Sequence, residues 1–580
     1  MTASLTMANL ASVFVSSLKF RRIAQACRLS LLTALSVAGG NVARAQTVSG
    51  VGDDAIPLAR GAFRLSLGGL WNDYDEVFSS VTPDGPYLRR GILSPLQSEA
   101  AGVGLLAALS STQDQLRELT GQPNYRLSLG PLSADGQVRQ SIAPITMEYG
   151  LSRRFSLRLM VPYAESRDIS QLLLNRNGSG ANVGLNPSVM GAQAGTAAMA
   201  NGTLRDQLDA ASGTLYAEIQ RCYSPDEGDC DAIRANPARA LALSEETASA
   251  ARRIANVYGT PDTPGQQFVP IPGSEAQNQV ASLLARIRNE YEAYGITAIP
   301  QGAQPLAATN VLGPGGMERI ATDSAFGVGY ERIGNTRRAG IGDVELTASA
   351  LLYDSFNSDP AERLQVNSRG LRTLVSAGWR FGTSGADRVE DAFDVPIGEG
   401  ANAILLRSST DLIWNRRFWM SATVRTAKPL SDHVAMGWPF RGTAETFMYP
   451  VLSVPAARSL GMRTDLELAP RVALGDFFGL SAAYVMRRMG EDRYDLTELP
   501  DVLQDNASPA TRLDVPTRTL QAASLGVTFS TLASYARHRS RIAAEITYTH
   551  TVPITGSGGV VPAVKSDRLE LRIYTGFPRR

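Results

Sequence analysis

Histidine, the side chain most often used for acid–base catalysis, is scarce in this chain. Its three histidines, His433, His538 and His550, lie in no familiar metal or nucleophile motif. Asp432-His433 brings together two groups that acid–base hydrolysis uses, but neighbours in an extended chain point to opposite sides, and the pair reads as a solvated loop pair. Thr549-His550 comes with no assignable nucleophile and orienting partner. The runs Gly313-Pro314-Gly315-Gly316 and Gly340-Ile341-Gly342 lack the Lys-Ser/Thr ending of a phosphate loop and the spacing of a dinucleotide fold. The sequence therefore predicts no enzyme, no cofactor and no metal site.

A second group of ionisable residues is abundant and ordered: Arg158, Asp343, Glu345, Arg372, Arg380, Arg407, Asp411, Arg425, Arg463, Asp465, Glu467, Arg471, Glu545, Arg568, Glu570 and Arg572. They alternate with apolar residues at a period of two. Phe155, Leu157, Leu159, Val161 and Tyr163 share one side of a strand, with Arg154, Ser156 and Arg158 on the other. Met462, Leu466, Leu468 and Val472 oppose Arg463, Asp465, Glu467 and Arg471, and Leu569, Leu571, Ile573 and Phe577 oppose Arg568, Glu570, Arg572 and Tyr574. A charge facing lipid near the midplane costs ~2–4 kcal/mol, so in a membrane barrel this face must turn inward. There it can line a water-filled path or cross-link into a closed polar core.

Such stretches number about twelve, near 62–72, 138–150, 154–165, 341–353, 368–381, 401–413, 417–428, 460–472, 476–488, 518–531, 539–552 and 566–577. Most are roughly 10–14 residues, long enough to cross a bilayer at a tilt, whereas sandwich strands are commonly about 5–6. The turns at Ser152-Arg153, Asn415-Arg416 and Gly475-Asp476 are short, and long segments follow Glu165, Lys428 and Arg488. Tyr149, Phe155, Trp414, Phe418, Phe477, Phe478 and Phe577 gather at one set of strand ends, and Trp71, Tyr163, Trp379, Phe381 and Tyr548 at the other, as two interfacial girdles would require. The fold predicted is all-β: an antiparallel transmembrane β-barrel of about 12 strands, short turns and both termini in the periplasm, long loops outside.

Residues 1–45 hold Lys19, Arg21, Arg22, Arg28 and Arg44 without an acid, then the apolar Leu29 to Gly40 and the small-x-small Ala43-Arg44-Ala45, the order of a cleaved signal peptide. Without it the 56 basic and 55 acidic residues become 51 and 55, and the net charge moves from +1 to −4. Neither value marks a nucleic-acid binder. No apolar run beyond residue 45 reaches the ~18–20 residues of a spanning helix. In an exported chain, Cys222 and Cys230 read as a local disulfide, since a metal would need more ligands.

Residues 46–165 thus hold the first barrel strands with a helix-containing loop, 166–338 an insertion, and 339–580 the remaining strands. The insertion is too long for bare loop. Thr203 to Arg221, Pro237 to Tyr258 and Ser274 to Tyr291 read as helices, as does Ala100 to Leu119 in the first loop, while Asn177 to Gly202 and Gly313 to Gly316 read as mobile connectors. A partly helical extracellular cap follows, either restricting the mouth or merely decorating the surface.

Gly340-Ile341-Gly342-Asp343-Val344-Glu345-Leu346 with Leu351-Leu352-Tyr353 resembles the Gly-x-Gly-Asp strand start of outer-membrane channels associated with phenol-degradation pathways. Tyr149-Gly150-Leu151 before Phe155-Ser156-Leu157 is similar to their tyrosine-glycine turn. The resemblance covers the strands from about 138 to 577 but not the insertion. It implies passage of small, often hydrophobic or aromatic compounds through a barrel of about a dozen strands. The expected function is passive uptake across the outer membrane of a Gram-negative-type envelope, with outer-membrane lipid, a small hydrophobic solute and the barrel-assembly machinery as partners. A non-transporting structural or surface-binding barrel is the main alternative, and an outer-membrane lipase or protease a lesser one. Oligomeric state is left open.

Overall fold

The computed structural model describes residues 55–56, 58–80, 85–106, 109–178, 180–224, 228–326, 328–355, 369–385, 395–415, 417–438, 452–497 and 512–576. The signal segment 1–45 and Phe577 lie outside them. Twelve strands close into an antiparallel barrel: β1 Phe63–Tyr74, β2 Leu132–Gly150, β3 Phe155–Leu174, β4 Val344–Asp354, β5 Gly370–Phe381, β6 Ala403–Ile413, β7 Phe418–Pro429, β8 Arg463–Leu474, β9 Phe478–Met489, β10 Arg518–Ser530, β11 Ala543–Ser557 and β12 Lys565–Thr575. Each strand pairs with the next in sequence, and β12 pairs with β1 from Phe63↔Thr575 to Asp73↔Lys565, so no strand edge is left open.

The alternation is expressed as two chemically different faces. On β3, Phe155, Leu157, Leu159 and Tyr163 are exposed, while Ser156, Met160 and Ala164 are buried. The same holds across the wall: Leu406, Leu468, Leu525 and Leu569 face out, and Ser409, Asp465, Glu467, Ser524 and Glu570 face in. Tyr149, Phe155, Trp414, Phe418, Phe477 and Phe478 are exposed at the short-turn end, with Trp414 and Phe418 rings 5.2 Å apart and Phe478 and Phe529 5.4 Å apart. Tyr163, Trp379, Phe381 and Tyr548 are exposed toward the other end, where Trp71 instead packs partly on the cap.

The largest departures from the expected limits are in β2, β3 and β4. β2 and β3 pair from Gly150↔Ser156 to Leu132↔Leu174, well beyond 138 and 165, forming a two-stranded ribbon above the barrel. β4 begins after a break: Arg337–Ile341 pairs with β3 first, and the ladder is interrupted at Gly342-Asp343 opposite Pro162, which has no N–H to donate. Gly342 N–H donates to the Pro162 carbonyl at 2.9 Å.

The cap is one hydrophobic unit built from both long loops. Helix α1 (Ser110–Thr120) of the first loop and α2 (Ala194–Cys222), α3 (Asp231–Ala235), α4 (Pro237–Tyr258), α5 (Glu275–Glu292) and α6 (Gly316–Thr322) of the insertion share a core. Leu116, Leu208, Leu243, Ile254 and Leu284 are buried there with Tyr74, Val138 and Leu174 of the barrel strands. Asn236 caps α4 by accepting from Arg239 N–H at 3.0 Å with Pro237 in the first turn, and Ser274 caps α5. Of the expected helix over 100–119, α1 is found, while 100–106 run as bends and turns, with Gly102 against the Leu127 carbonyl where a Cβ would sit 2.4 Å from that oxygen. Conversely, 194–202 is not a connector but the start of α2, as its alanines favour. Cys222 at the end of α2 is bonded to Cys230.

Candidate functional site

The inner wall is a ladder of charges held by the strand register, since directly opposed residues of antiparallel strands share a face. Near the short-turn end, Glu148 of β2 takes Arg64 of β1 and the Ser156 hydroxyl (2.8 Å), and lies opposite Arg158 of β3. Arg372 lies opposite Asp411, which accepts from the Ser421 hydroxyl at 2.7 Å. Arg568 and Arg572 donate to Glu570 at 2.9 and 3.0 Å, and Tyr574 donates to Glu545 at 2.6 Å. At mid-height Arg425 reaches Glu467 (2.8 Å) and Arg487 forks onto Asp465 (3.0 and 3.1 Å). Arg407 faces Ser376 and Arg425, and Arg471 lies between Trp419 and Ser481.

At the long-loop end the segment 395–402 folds back into the mouth. Ile397 is buried against Leu70, Ile142 and Ala164 on inward positions of β1, β2 and β3. Two residues on, Glu399 is 7% exposed and bridges two strands, taking Arg380 at 3.1 Å and Arg463 at 3.1 Å. Arg380 also reaches Glu345 at 2.8 Å, and Arg463 reaches Asp492 at 2.8 Å, which takes Arg518 at 2.9 Å. Asp343 joins this cluster from the ladder break. It accepts from the Ser384 hydroxyl (2.7 Å) and N–H (3.1 Å), Glu399 N–H (2.8 Å) and Gly400 N–H (3.3 Å), and so fixes this segment in the mouth.

The opposite end is narrowed by the chain ahead of β1. Ala55 N–H donates to Asp411 at 3.0 Å, and Ala55 packs with Leu351 and Leu374. Ala59 crosses Gly150 so closely that a Cβ there would sit 2.0 Å from its carbonyl oxygen.

Arg64, Glu148, Arg487 and Arg518 occupy inward strand positions, so the period-two pattern contains them although charge spacing alone did not single them out. Glu399 and Asp492 lie outside the twelve barrel strands; the only local signal for Glu399 is its flanking Gly398 and Gly400.

The hydrolytic candidates separate. Asp432 is held by Arg458, and exposed His433 lies on the other side of the same strand, Asp432–Trp438. His550 does have a carboxylate partner, Asp567, 2.8 Å from Nδ1, which also accepts from the Tyr548 hydroxyl at 2.5 Å. The group sits on the outer wall, where the facing β10 residues Ala523, Leu525 and Val527 supply no nucleophile. Among the described residues no cluster of three or more His, Cys, Asp or Glu is arranged for a metal. An apolar depression of about 460 Å³ on the outer wall, flanked by Phe155, Ala350, Val375, Leu406 and Val424, belongs to the same exposed face.

No protein-family model and no curated protein matches the chain. Among solved structures it is similar to an outer membrane channel from Pseudomonas putida F1, with TM-score 0.36 and 8% identity over 91% of this chain and 99% of the other. A Pseudomonas aeruginosa FadL homologue gives TM-score 0.25 and 8% identity over 90% and 91%, and the P. putida toluene transporter TodX gives 0.24 and 10% over 90% and 89%. Likenesses this slight fix neither family nor substrate for this chain. What the geometry itself gives is a closed barrel, apolar outside and ionised inside, with a chain segment entering each mouth.

Proposed function

We propose that the protein is an outer-membrane channel for passive uptake of small solutes, with both termini in the periplasm and the cap outside the cell. The observation that carries this reading is the joint placement of apolar residues such as Leu157 and Leu468 on the outside and of Arg425, Asp465 and Glu467 on the inside of one closed wall. A barrel in water has no use for the first, and a barrel packed as a protein core has little use for the second.

The resemblance in the strand starts points to small hydrophobic or aromatic compounds. A wall of guanidinium and carboxylate groups favours those that also carry a polar or charged group, because the route must stay wetted. The path runs past Glu399 at the outer mouth and past Ala55 at the inner one. The alternative is a filled, non-transporting barrel, favoured by how many of the inner charges are paired with one another, as Arg425 with Glu467 and Arg487 with Asp465. Swelling of liposomes containing the full chain, challenged with a series of aromatic alcohols and carboxylates beside sugars of equal size, separates the two. Faster entry of the aromatics supports the channel and its solute class, equal entry supports an unselective pore, and no entry supports the filled barrel.

A further inference from the structure

Outside the lumen, on the lipid-facing side of the wall, three arginines stand side by side on neighbouring segments. Arg139 of β2 is directly opposite Arg167 of β3, and Arg167 is directly opposite Arg337 of the short strand before β4. Directly opposed residues share a face, and all three are exposed. Like charges in this relation repel, so the row is unfavourable unless an anion lies across it.

One surrounding carboxylate reaches one end of the row only, and Arg139 and Arg167 are left without a bonded acid. Glu165 is taken by Arg337 at 2.7 Å. Asp73, opposite Arg139, accepts instead from the Gln137 amide at 3.0 Å. Arg139 donates only to the neutral Gln137 at 2.8 Å, and among the described residues Arg167 has no ion pair.

The row's height on the wall identifies the anion's setting. Reading up the outer face of β3, Phe155, Leu157, Leu159, Val161 and Tyr163 are apolar or interfacial, then come Glu165 and Arg167. Arg167 is four residues beyond the interfacial tyrosine, about 10 Å in depth for a strand rising ~3.3 Å per residue at a tilt of ~40°. That height is at the outer edge of the headgroup layer, from which a long arginine side chain reaches back to the phosphates. Guanidinium groups match phosphate oxygens with two parallel donors each.

We infer that Arg139, Arg167 and Arg337 form a docking site for the phosphate-bearing headgroup of an outer-leaflet lipid, whose acyl chains lie along the apolar face below. The inference rests on the reading of the chain as a membrane-spanning barrel. The occupant is a lipid and not free phosphate, because only an anchored headgroup is held at this height beside an apolar wall.

The test reconstitutes the full chain in vesicles of zwitterionic lipid and titrates a fluorescent, acylated glucosamine disaccharide bisphosphate, with its phosphate-free counterpart and inorganic phosphate as comparison arms. The bisphosphate binds about tenfold more tightly than the phosphate-free lipid, with a salt-sensitive affinity, and R139Q/R167Q/R337Q removes that difference. Arg167→Gln alone removes part of it, which keeps the test decisive should the triple variant fail to assemble. K428Q/R488Q, which neutralises outward cations elsewhere on the rim, binds as the unaltered protein does. Equal binding of the two lipids, or unchanged binding by both arginine variants, overturns the site while leaving the barrel reading intact. Competition by inorganic phosphate at equal concentration overturns the lipid as occupant. Protein that fails to co-float with the vesicles overturns the barrel reading and the site together.

Discussion

Among the described residues Glu399 ties the long-loop mouth together, because one buried carboxylate joins Arg380 and Arg463 from two non-adjacent strands. Arg380 keeps Glu345 and Arg463 keeps Asp492, so removing the Glu399 charge leaves the buried cluster one carboxylate short and costs less than the about 3–5 kcal/mol of a fully broken buried pair. Glu399→Gln should therefore lower the temperature at which the folded barrel loses its compact gel mobility and, as segment 395–402 loosens, raise ionic conductance. Unchanged values for both would show that the segment is held otherwise. In the cap, the Arg286 hydrogen bond is the main influence holding Glu246 below the usual carboxylate range. A lowered folded-state pKa means that the stabilisation is present above the unfolded value near ~4.3 and is lost as pH falls through the folded value. Cap helicity should decline on acidification below about pH 4, and Glu246→Gln should flatten part of that decline in a circular-dichroism titration. Since Glu246 is on the cap surface, the effect is small.

At the scale of elements, the two-faced strand makes a direct prediction. Leu159→Arg places a charge on the lipid side midway along the apolar run of β3 and should destabilise the folded barrel by about 2–4 kcal/mol in urea titrations of vesicle-inserted protein. An effect near zero would mean that this face does not meet hydrocarbon. The same two-residue period is why all twelve strands were legible in the sequence: an apolar outer face and a polar inner one leave little freedom in the pattern. Where that contrast ends, legibility ends. Beyond the barrel, β2 and β3 continue as a ribbon because Ala134, Val138 and Leu174 meet the cap core, a tertiary demand that a local pattern cannot express. The helices were found where apolar spacing was regular, as in α5, and were misjudged where glycine weighed against alanine, at 100–109 and 194–202. Of the inner charges, those on strands sit where alternation puts them, whereas the partners of Asp343 were not legible, because the ladder break near Pro162 turns its carboxylate to segment 395–402. Glu399 was invisible for the complementary reason: it enters the lumen from a loop.

For the molecule as a whole, the cap core joins residues of two loops to the rim of β1, β2 and β3, so the two loops should fail or survive together. Deleting 176–334 alone should leave Leu93, Leu96 and Leu116 of the first loop without their partners and produce a barrel prone to association. Shortening both loops should restore a monodisperse barrel, with higher conductance if the cap restricts the mouth and unchanged conductance if it only decorates the surface. The central claim, a conducting lumen inside a charged wall, is tested most directly by single-channel recording of the intact, heat-modifiable protein in planar bilayers. The account predicts discrete, reproducible conductance steps. Silence from protein verified as folded and inserted in the same membranes would contradict it and leave the filled, non-transporting barrel in its place.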